Sequence, residues 1–461
     1  MAEDQEPQEP REEEDYALDN RMVAAVLDAV DQGDALALDG LLYPLHAADI
    51  ADLLEQISGA ERRALIGLWP RGIDGEILSE LDESIREEVI AALSPEVLGD
   101  AVRELDSDDV VDLIEDLEEP QQTAILDALE DADRAAVEQS LAYPEYSAGR
   151  LMQREVVMAP EHWTVGNAID HMRGNKKELP EQFYHVILID PRLKPVGYVT
   201  LGKILSTKRS VKLSEIVEES FRTISVLEEE GDVAYAFNQY HLISAPVVDE
   251  HDRLVGVITI DDAMAVLDEE HEEDILRLAG VGEGSLSDSV LETTKQRLPW
   301  LAVNLVTAIL ASVVIAQFEG VISAIVALAV LMPIVASMGG NAGTQALTVA
   351  VRAIATRDLT ASNVWRVVRR EAAVGLVNGL VFAVVMGLVG WVWFGQPMIG
   401  VVLAAAMVVN LVTAGLAGIL VPVMLERFDL DPALASGTFV TTLTDVIGFS
   451  VFLGLATMFL L

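Results

Sequence analysis

The 461-residue sequence contains no cysteine, which excludes disulfides, thiolate zinc sites and thiol nucleophiles. Histidine is scarce, with seven in all and none after His271. Lysine is scarce too, supplying seven of the 30 basic residues. There is no phosphate-binding Gly-Lys-Ser/Thr loop and no nucleophile–base pair, so enzyme activity has no catalytic constellation behind it. The largest deficit is positive charge as a whole: 75 acids against 30 bases give a net charge of −45. From Arg297 onward seven acids face seven bases, so residues 1–296, with 68 acids and 23 bases, hold all of the excess. Such a surface argues against nucleic acid and anionic lipid as partners and for cations, as counterions or as ligands. A Lys-poor acidic surface also suits a high-salt cytoplasm, so composition leaves both salt adaptation and specific cation binding open.

What is present divides at Gln296. Before it, the first twenty residues, "MAEDQEPQEPREEEDYALDN", have no apolar core, so no signal peptide is read there and the leader is expected to be disordered. After it come five Val/Ala/Leu/Gly stretches long enough to cross a hydrocarbon layer of about 30 Å. They are placed at Leu298 to Ala316, Val321 to Ile354, Ala372 to Phe394, Met398 to Leu425 and Leu434 to Leu461. Arg352 at the end of the second stretch and Arg357, Arg366, Arg369 and Arg370 beyond it lead to the third, and Arg427 lies between the fourth and fifth, whereas "QFEG" and "GQP" carry no base. The positive-inside bias puts the N-terminal half in the cytoplasm and the C-terminus outside the cell membrane.

Two features interrupt the apolar half. "LMPIVASMGGNAGTQALTVAV" places Pro333, Gly339, Gly340 and Asn341 in a stretch too long for a single crossing, which predicts a break or distortion around Asn341 lining a polar path. A glycine-mediated helix crossing is the alternative. In the last stretch, Asp445 is the one carboxylate that no placement brings near an interface, and no Lys or Arg lies deep inside any span. A charge at the bilayer centre costs about 2.5–3.5 kcal/mol even on insertion scales, so Asp445 is expected to face a cavity and take its positive charge from a proton or a visiting cation. Gly437, Thr441, Asp445 and Gly448 recur at helical spacing on one face. Oxygen ligands without Cys or His select hard cations such as Mg2+, Ca2+ or Mn2+, and a single carboxylate with neutral oxygens suits a largely hydrated Mg2+.

In the acidic half, residues 21–140 read as short amphipathic helices with turn signals every ten to fifteen residues, resembling an α-solenoid. "HVILIDPRLKPVGYVTLGKIL" and "SAPVVDEHDRLVGVITIDDAM" then superpose at an offset of 59, setting Asp190 on Asp249, Gly197 on Gly256 and Thr200 on Thr259. Each copy reads as strand, turn, strand and helix after a preceding helix, a tandem resembling a pair of CBS modules. "IDDAMAVLDEEHEEDILRLAG" follows, an acidic helix whose like charges at i, i+4 repel unless cations bind.

Taken with "LHAADIADLLEQI", "LAYPEYSAGRLM", "RLPWLAVNLVTA", "GGNAGTQ", "RAIATRDL" and "DPALASGTFVTTLTDVIG", the chain resembles the MgtE family of magnesium channels and transporters over nearly its whole length. The resemblance implies a multi-domain membrane protein: an α-helical superhelical N domain (21–145) after the leader (1–20), a tandem α+β CBS pair (146–210 and 211–270), a connecting plug helix (271–297) and a five-helix transmembrane domain (298–461). It implies a homodimer in the lipid bilayer, Mg2+ as transported and regulating ion, and a pore on the two-fold axis that the plug closes when intracellular Mg2+ is high. By matching position, Asp445 with the Thr441 carbonyl resembles the pore ion site and Asn341 its lining. The sensor sites would be Asp262, Glu270, Glu273 and Asp274, with Glu76, Asp108 and Asp112 in the helical domain and the Gly149 backbone at its exit. The sequence departs from the family pattern at Ala265 and His241, where acids are expected. Two other functions stay open: proton-coupled exchange of divalent cations (Mg2+, Mn2+ or Co2+) at Asp445, and a CBS pair that senses ATP.

Overall fold

The computed structural model describes residue 18 and residues 20–461, apart from 104, 116, 118, 175–178, 181–182, 219–220, 282–289 and 429. Nearly all of the acidic leader therefore lies outside the described residues. The chain divides into two compact units, residues 1–270 and 271–461.

Among the described residues the first unit begins with ten short α-helices: α1 (Asn20–Gln32), α2 (Ala35–Leu42), α3 (Ala47–Gln56), α4 (Gly59–Leu68), α5 (Gly75–Ser79), α6 (Glu83–Ala92), α7 (Pro95–Val102), α8 (Ser107–Glu115), α9 (Glu119–Leu126) and α10 (Asp131–Ser140). Polar caps punctuate them. Ser58 and Glu61 form a reciprocal capping box at the start of α4, and Ser94 followed by Pro95 opens α7. Their apolar faces merge into one core containing Leu38, Leu53, Leu65, Leu78 and Leu113. A buried arginine closes successive turns of the array. Arg62, 6% exposed, donates to the Leu54 and Ile57 carbonyls and pairs with Glu88. Twenty-four residues on, Arg86 donates to the Ser79 and Leu81 carbonyls and pairs with Asp112 at 2.8 Å. Each guanidinium fills the orphan carbonyls at a helix end and pairs its charge with a carboxylate of a later helix.

The tandem repeat follows. After α11 (Ala148–Leu151), each repeat builds a three-stranded sheet: β1 (Met158–Pro160), β2 (His185–Ile189) and β3 (Pro195–Thr200), then β4 (Ile224–Ser225), β5 (Ser244–Val248) and β6 (Leu254–Thr259). In both, the first strand pairs parallel with the second and the second antiparallel with the third. The parallel pairs require crossover helices, α12 (Val165–Gly174) and α14 (Glu230–Tyr240), and α13 (Leu201–Ser206) completes the first repeat. The offset of 59 survives in detail. Asp190 accepts from the Arg192 and Lys194 amides, and Asp249 from those of His251 and Arg253, so both hairpins turn on the same aspartate. His185 Nδ1 and Ser244 Oγ, equivalent positions of the two repeats, meet at 2.5 Å.

Helix α15 (Ile260–Leu278) leaves the second repeat and carries the chain across the unit boundary. The connecting segment 271–297 is divided: α15 ends at Leu278, Gly280 takes the left-handed φ of 70° that favours glycine, and α16 begins at Val290. Residues 282–289, part of the expected plug helix, lie outside the described residues.

The second unit contains α16 (Val290–Ala316), the short α17 (Glu319–Ala324), α18 (Ala327–Ala355), α19 (Val364–Phe394), α20 (Pro397–Arg427) and α21 (Pro432–Leu460). Among the described residues, five helices are long and apolar enough to cross a membrane. The expected distortion around Asn341 is overturned. Helix α18 runs unbroken through Pro333, Gly339, Gly340 and Asn341, and the excess length is removed by a break at Ile325 and Val326, between α17 and α18. In hydrocarbon a mid-span break would orphan carbonyls that nothing there can satisfy. The glycines instead allow close helix approach, as a glycine-mediated crossing requires. A Cβ on Gly343 would lie 2.5 Å from Val440 Cγ1, and one on Gly400 would overlap the Gly387 carbonyl oxygen.

The same packing makes a prediction. A Cβ at Gly418 of α20 would stand 2.6 Å from Ala346 Cβ and 2.8 Å from the Gly343 oxygen. Gly418→Val should cost about 1–3 kcal/mol by overpacking, seen as a lower thermal midpoint of the detergent-solubilised chain. An unchanged midpoint would contradict this α18–α20 packing.

Candidate ion pathway and regulatory carboxylates

Asp431 caps α21 by accepting from the Ala433 amide at 2.7 Å, with Pro432 in the first helical position. Along the face expected from spacing, Gly437 and Asp445 are half-buried, Thr441 is exposed and Gly448 is buried. Gly437 lies beside the Leu278 carbonyl, where a Cβ would come to 3.8 Å; Thr441 Cγ2 stands 3.8 Å from the Cβ position of Gly340; Gly448 is covered by Asn410 of α20. Asp445 sits between the last two, half-buried, and among the described residues it has no hydrogen bond or ion pair. The structure thus sets α21 against the Gly340–Gly343 segment of α18 through Val440, Thr441 and Thr444. Thr441 donates from Oγ1 to the Gly437 carbonyl, and its own carbonyl, the expected ion ligand, accepts from Thr444 Oγ1 at 2.9 Å. Asn341 is exposed one residue beyond Gly340, with Nδ2 3.4 Å from Ser337 Oγ.

The end of α15 docks on the same bundle. Leu278 packs among Leu347, Val351, Ala417, Ala433 and Val440. Arg277 pairs with Glu273 at 2.7 Å and donates to Asp431 Oδ2 at 3.0 Å, so an arginine joins α15 to the cap of the helix that carries Asp445. Burial, together with the charge of Asp431, raises the pKa of Asp274. Asp431 and Arg277 were not read from the sequence as site residues. The Asp431-Pro432 cap signature was visible, but nothing local marks its partner on α15.

In the first unit the carboxylates of α8 and α15 crowd together. Asp108, 7% exposed, is raised well above its ordinary pKa by burial and by Asp262. Burial with Asp262 and Asp106 pushes its neighbour Asp109 up to about 7. Asp262 is pushed to about 6 mainly by burial, against the stabilising hydrogen bond it accepts from Thr259 Oγ1 at 2.5 Å. A second group centres on Glu230 of α14, raised to about 7 by burial and by Glu269, Glu115, Glu270 and Asp112. Glu270 reaches back over Gly231, where a Cβ would lie 2.6 Å from its Oε1. Asp109 and Glu230 were missed because an acid in an acidic run looks like every other acid until burial separates them. Of the other expected residues, Asp112 already neutralises Arg86, Gly149 donates to the Val226 carbonyl at 3.0 Å, and Glu76 lies exposed on α5. No three His, Asp or Glu side chains among the described residues form a ready metal cage. The donor set nonetheless fits Mg2+: oxygen only, acidic and short of counter-charge, for an ion that keeps several waters and needs few direct carboxylates.

Known proteins share this domain order. Residues 332–455 match a model of divalent cation transporters, 45–146 match the MgtE intracellular N domain, and 148–209 and 214–269 match the CBS domain. The magnesium transporter MgtE of Thermus thermophilus is 32% identical over 450 residues, 96% of this chain and 99% of that protein. The chain belongs to the MgtE family. The magnesium transporter MgtE of Enterococcus faecalis is 32% identical over 324 residues, 70% of this chain and 71% of its own length. Among solved structures, the cytosolic domain of the Mg2+ channel MgtE in complex with ATP covers 53% of this chain and 99% of its own, at 28% identity and a TM-score of 0.49. Membership of the MgtE family agrees with the fold: a helical N domain, two CBS repeats and five membrane-length helices.

Proposed function

We propose that the chain is a Mg2+-selective channel for passive magnesium uptake across the cell membrane, closed by cytosolic Mg2+ acting on its acidic half. The observation that carries this reading is Asp445, a half-buried carboxylate within a membrane-length helix that packs on the glycines of α18, without a protein partner among the described residues. Such a group needs positive charge, and every Lys and Arg of the spans lies near a span end. A divalent ion moving inward gains about 4.6 kcal/mol per 100 mV, so uptake needs no coupled fuel. In a homodimer on a two-fold axis, two Asp445 carboxylates would face one another across the path. The Arg-rich α18–α19 connection supports a cytoplasmic N-terminus and an external C-terminus.

The regulatory half works through charge. Asp108, Asp109 and Asp262 form one crowd, and Glu230, Glu269 and Glu270 the other; Mg2+ at either removes repulsion that otherwise drives α8, α14 and α15 apart. The far end of α15 is tied to α21 through Arg277 and Asp431, which gives that rearrangement a mechanical route to the ion path. The test is Mg2+ flux into vesicles containing the full chain, with and without an imposed pH gradient. Uptake driven by membrane potential alone is expected, and flux that follows the proton gradient would instead select proton exchange at Asp445.

A further inference from the structure

Asn410 lies near the middle of α20 among valines and leucines and is 1% exposed. Leaving a buried amide atom unpaired costs about 1–3 kcal/mol, so a polar residue here needs a reason. Its Nδ2 donates to the Val335 carbonyl of α18 at 2.8 Å, whereas its Oδ1 is buried without a hydrogen-bond partner. The same amide touches glycines on two other helices. A Cβ on Gly339 of α18 would overlap Nδ2, and one on Gly448 of α21 would lie 2.9 Å from it. Gly339 comes two residues before Asn341, and Gly448 lies one helical turn beyond Asp445 on the same face. One side chain is therefore wedged between the two segments that carry the candidate permeation residues, and it is bonded to one of them.

We infer that Asn410 is a positioning residue for ion selection: its amide, bonded to Val335 and keyed between Gly339 and Gly448, sets the spacing of the Asn341 and Asp445 segments. Helices in lipid have no hydrophobic force holding them at one separation, so small residues and interhelical hydrogen bonds set it. Mg2+ demands near-ideal octahedral geometry at short distances, whereas Ca2+ accepts longer and looser coordination. A change in helix spacing therefore alters which ion passes before it unfolds the bundle. The inference rests on the permeation role proposed for Asp445.

The test measures Mg2+ and Ca2+ flux through the full chain in lipid vesicles, together with the thermal midpoint in detergent. Asn410→Leu keeps bulk and removes the hydrogen bond. Asn410→Ala removes both, and Asn410→Ala with Gly448→Ala returns a methyl group to the vacated space without the bond. All three are expected to lower the Mg2+/Ca2+ flux ratio about fivefold, the worth of one interhelical hydrogen bond in a membrane. A parental ratio in the Leu variant, or its recovery in the paired variant, would make the amide a space filler and overturn the inference. So would single variants that fail to fold beside a paired variant that folds with the parental ratio. Asp445→Asn in the same vesicles separates the two ideas. Parental flux there removes the permeation reading itself; lost flux there, with a parental ratio in the Asn410 variants, removes only the positioning role.

Discussion

Asp445→Asn is expected to reduce Mg2+ flux into vesicles by roughly a hundredfold, the equivalent of about 2.7 kcal/mol, while the chain elutes and melts like its parent. The substitution keeps the shape of the side chain and removes its charge. At an effective dielectric of about 20, a divalent ion 4 Å from one carboxylate gains about 8 kcal/mol. Most of that offsets the water the ion gives up, so the expected loss is a fraction of it. Folding should survive, because Asp445 has no hydrogen bond or ion pair among the described residues to lose. The neutral amide also removes a cost of burial. Asp445→Glu, with the charge kept and its position moved outward, should fall between the two. Flux in the Asn variant within threefold of the parent would mean that ions cross elsewhere.

Asp108→Asn combined with Asp262→Asn should make the acidic half compact without Mg2+, read as slow proteolysis that no longer responds to the ion. In the parent at pH 7.5, millimolar Mg2+ should slow cutting by an order of magnitude or more, since a single charge-assisted hydrogen bond is worth about 1.5–3 kcal/mol. Acid should imitate the metal. Asp109 and Glu230 titrate at about 7 and Asp262 at about 6 when crowded, all above their ordinary values. The crowded arrangement therefore holds protons more tightly than the separated one. Its stability rises as pH falls through about 7 and is lost as pH rises again. Binding of Mg2+ near pH 7 should then expel protons, which calorimetry in two buffers of different ionisation enthalpy detects. Proteolysis indifferent to both Mg2+ and pH would remove this gating scheme and leave permeation standing.

Much of the architecture was legible because its signals are local and repeated. The offset of 59 predicted two identical folding units, and the two sheets share strand order and the same aspartate turn at Asp190 and Asp249. The apolar lengths predicted five membrane helices, and five are present among the described residues. The break in the second span was misplaced because Gly-Gly-Asn reads alike as a hinge or as a packing surface. Only the neighbours at Asn410 and Val440 show which it is. Asp112 was expected as a sensor residue from the family resemblance alone, and its pairing with Arg86, 26 residues away across a helix pair, became visible only in the fold. Asn410 carried no signal at all, since a lone amide in an apolar run acquires meaning only from the helices that close around it.

By itself, the sequence determined the partition of charge, the number of spans, the tandem repeat and the intramembrane carboxylate without a fixed counter-ion. These follow from composition and period, which act over one helix or one strand at a time. Tertiary structure alone decided which acids are buried together, which arginine ties α15 to α21, and which glycines face Asn410 and Val440. Burial and Coulomb energies depend on distance in space, and residues 108 and 262, or 277 and 431, become neighbours only when the chain has folded.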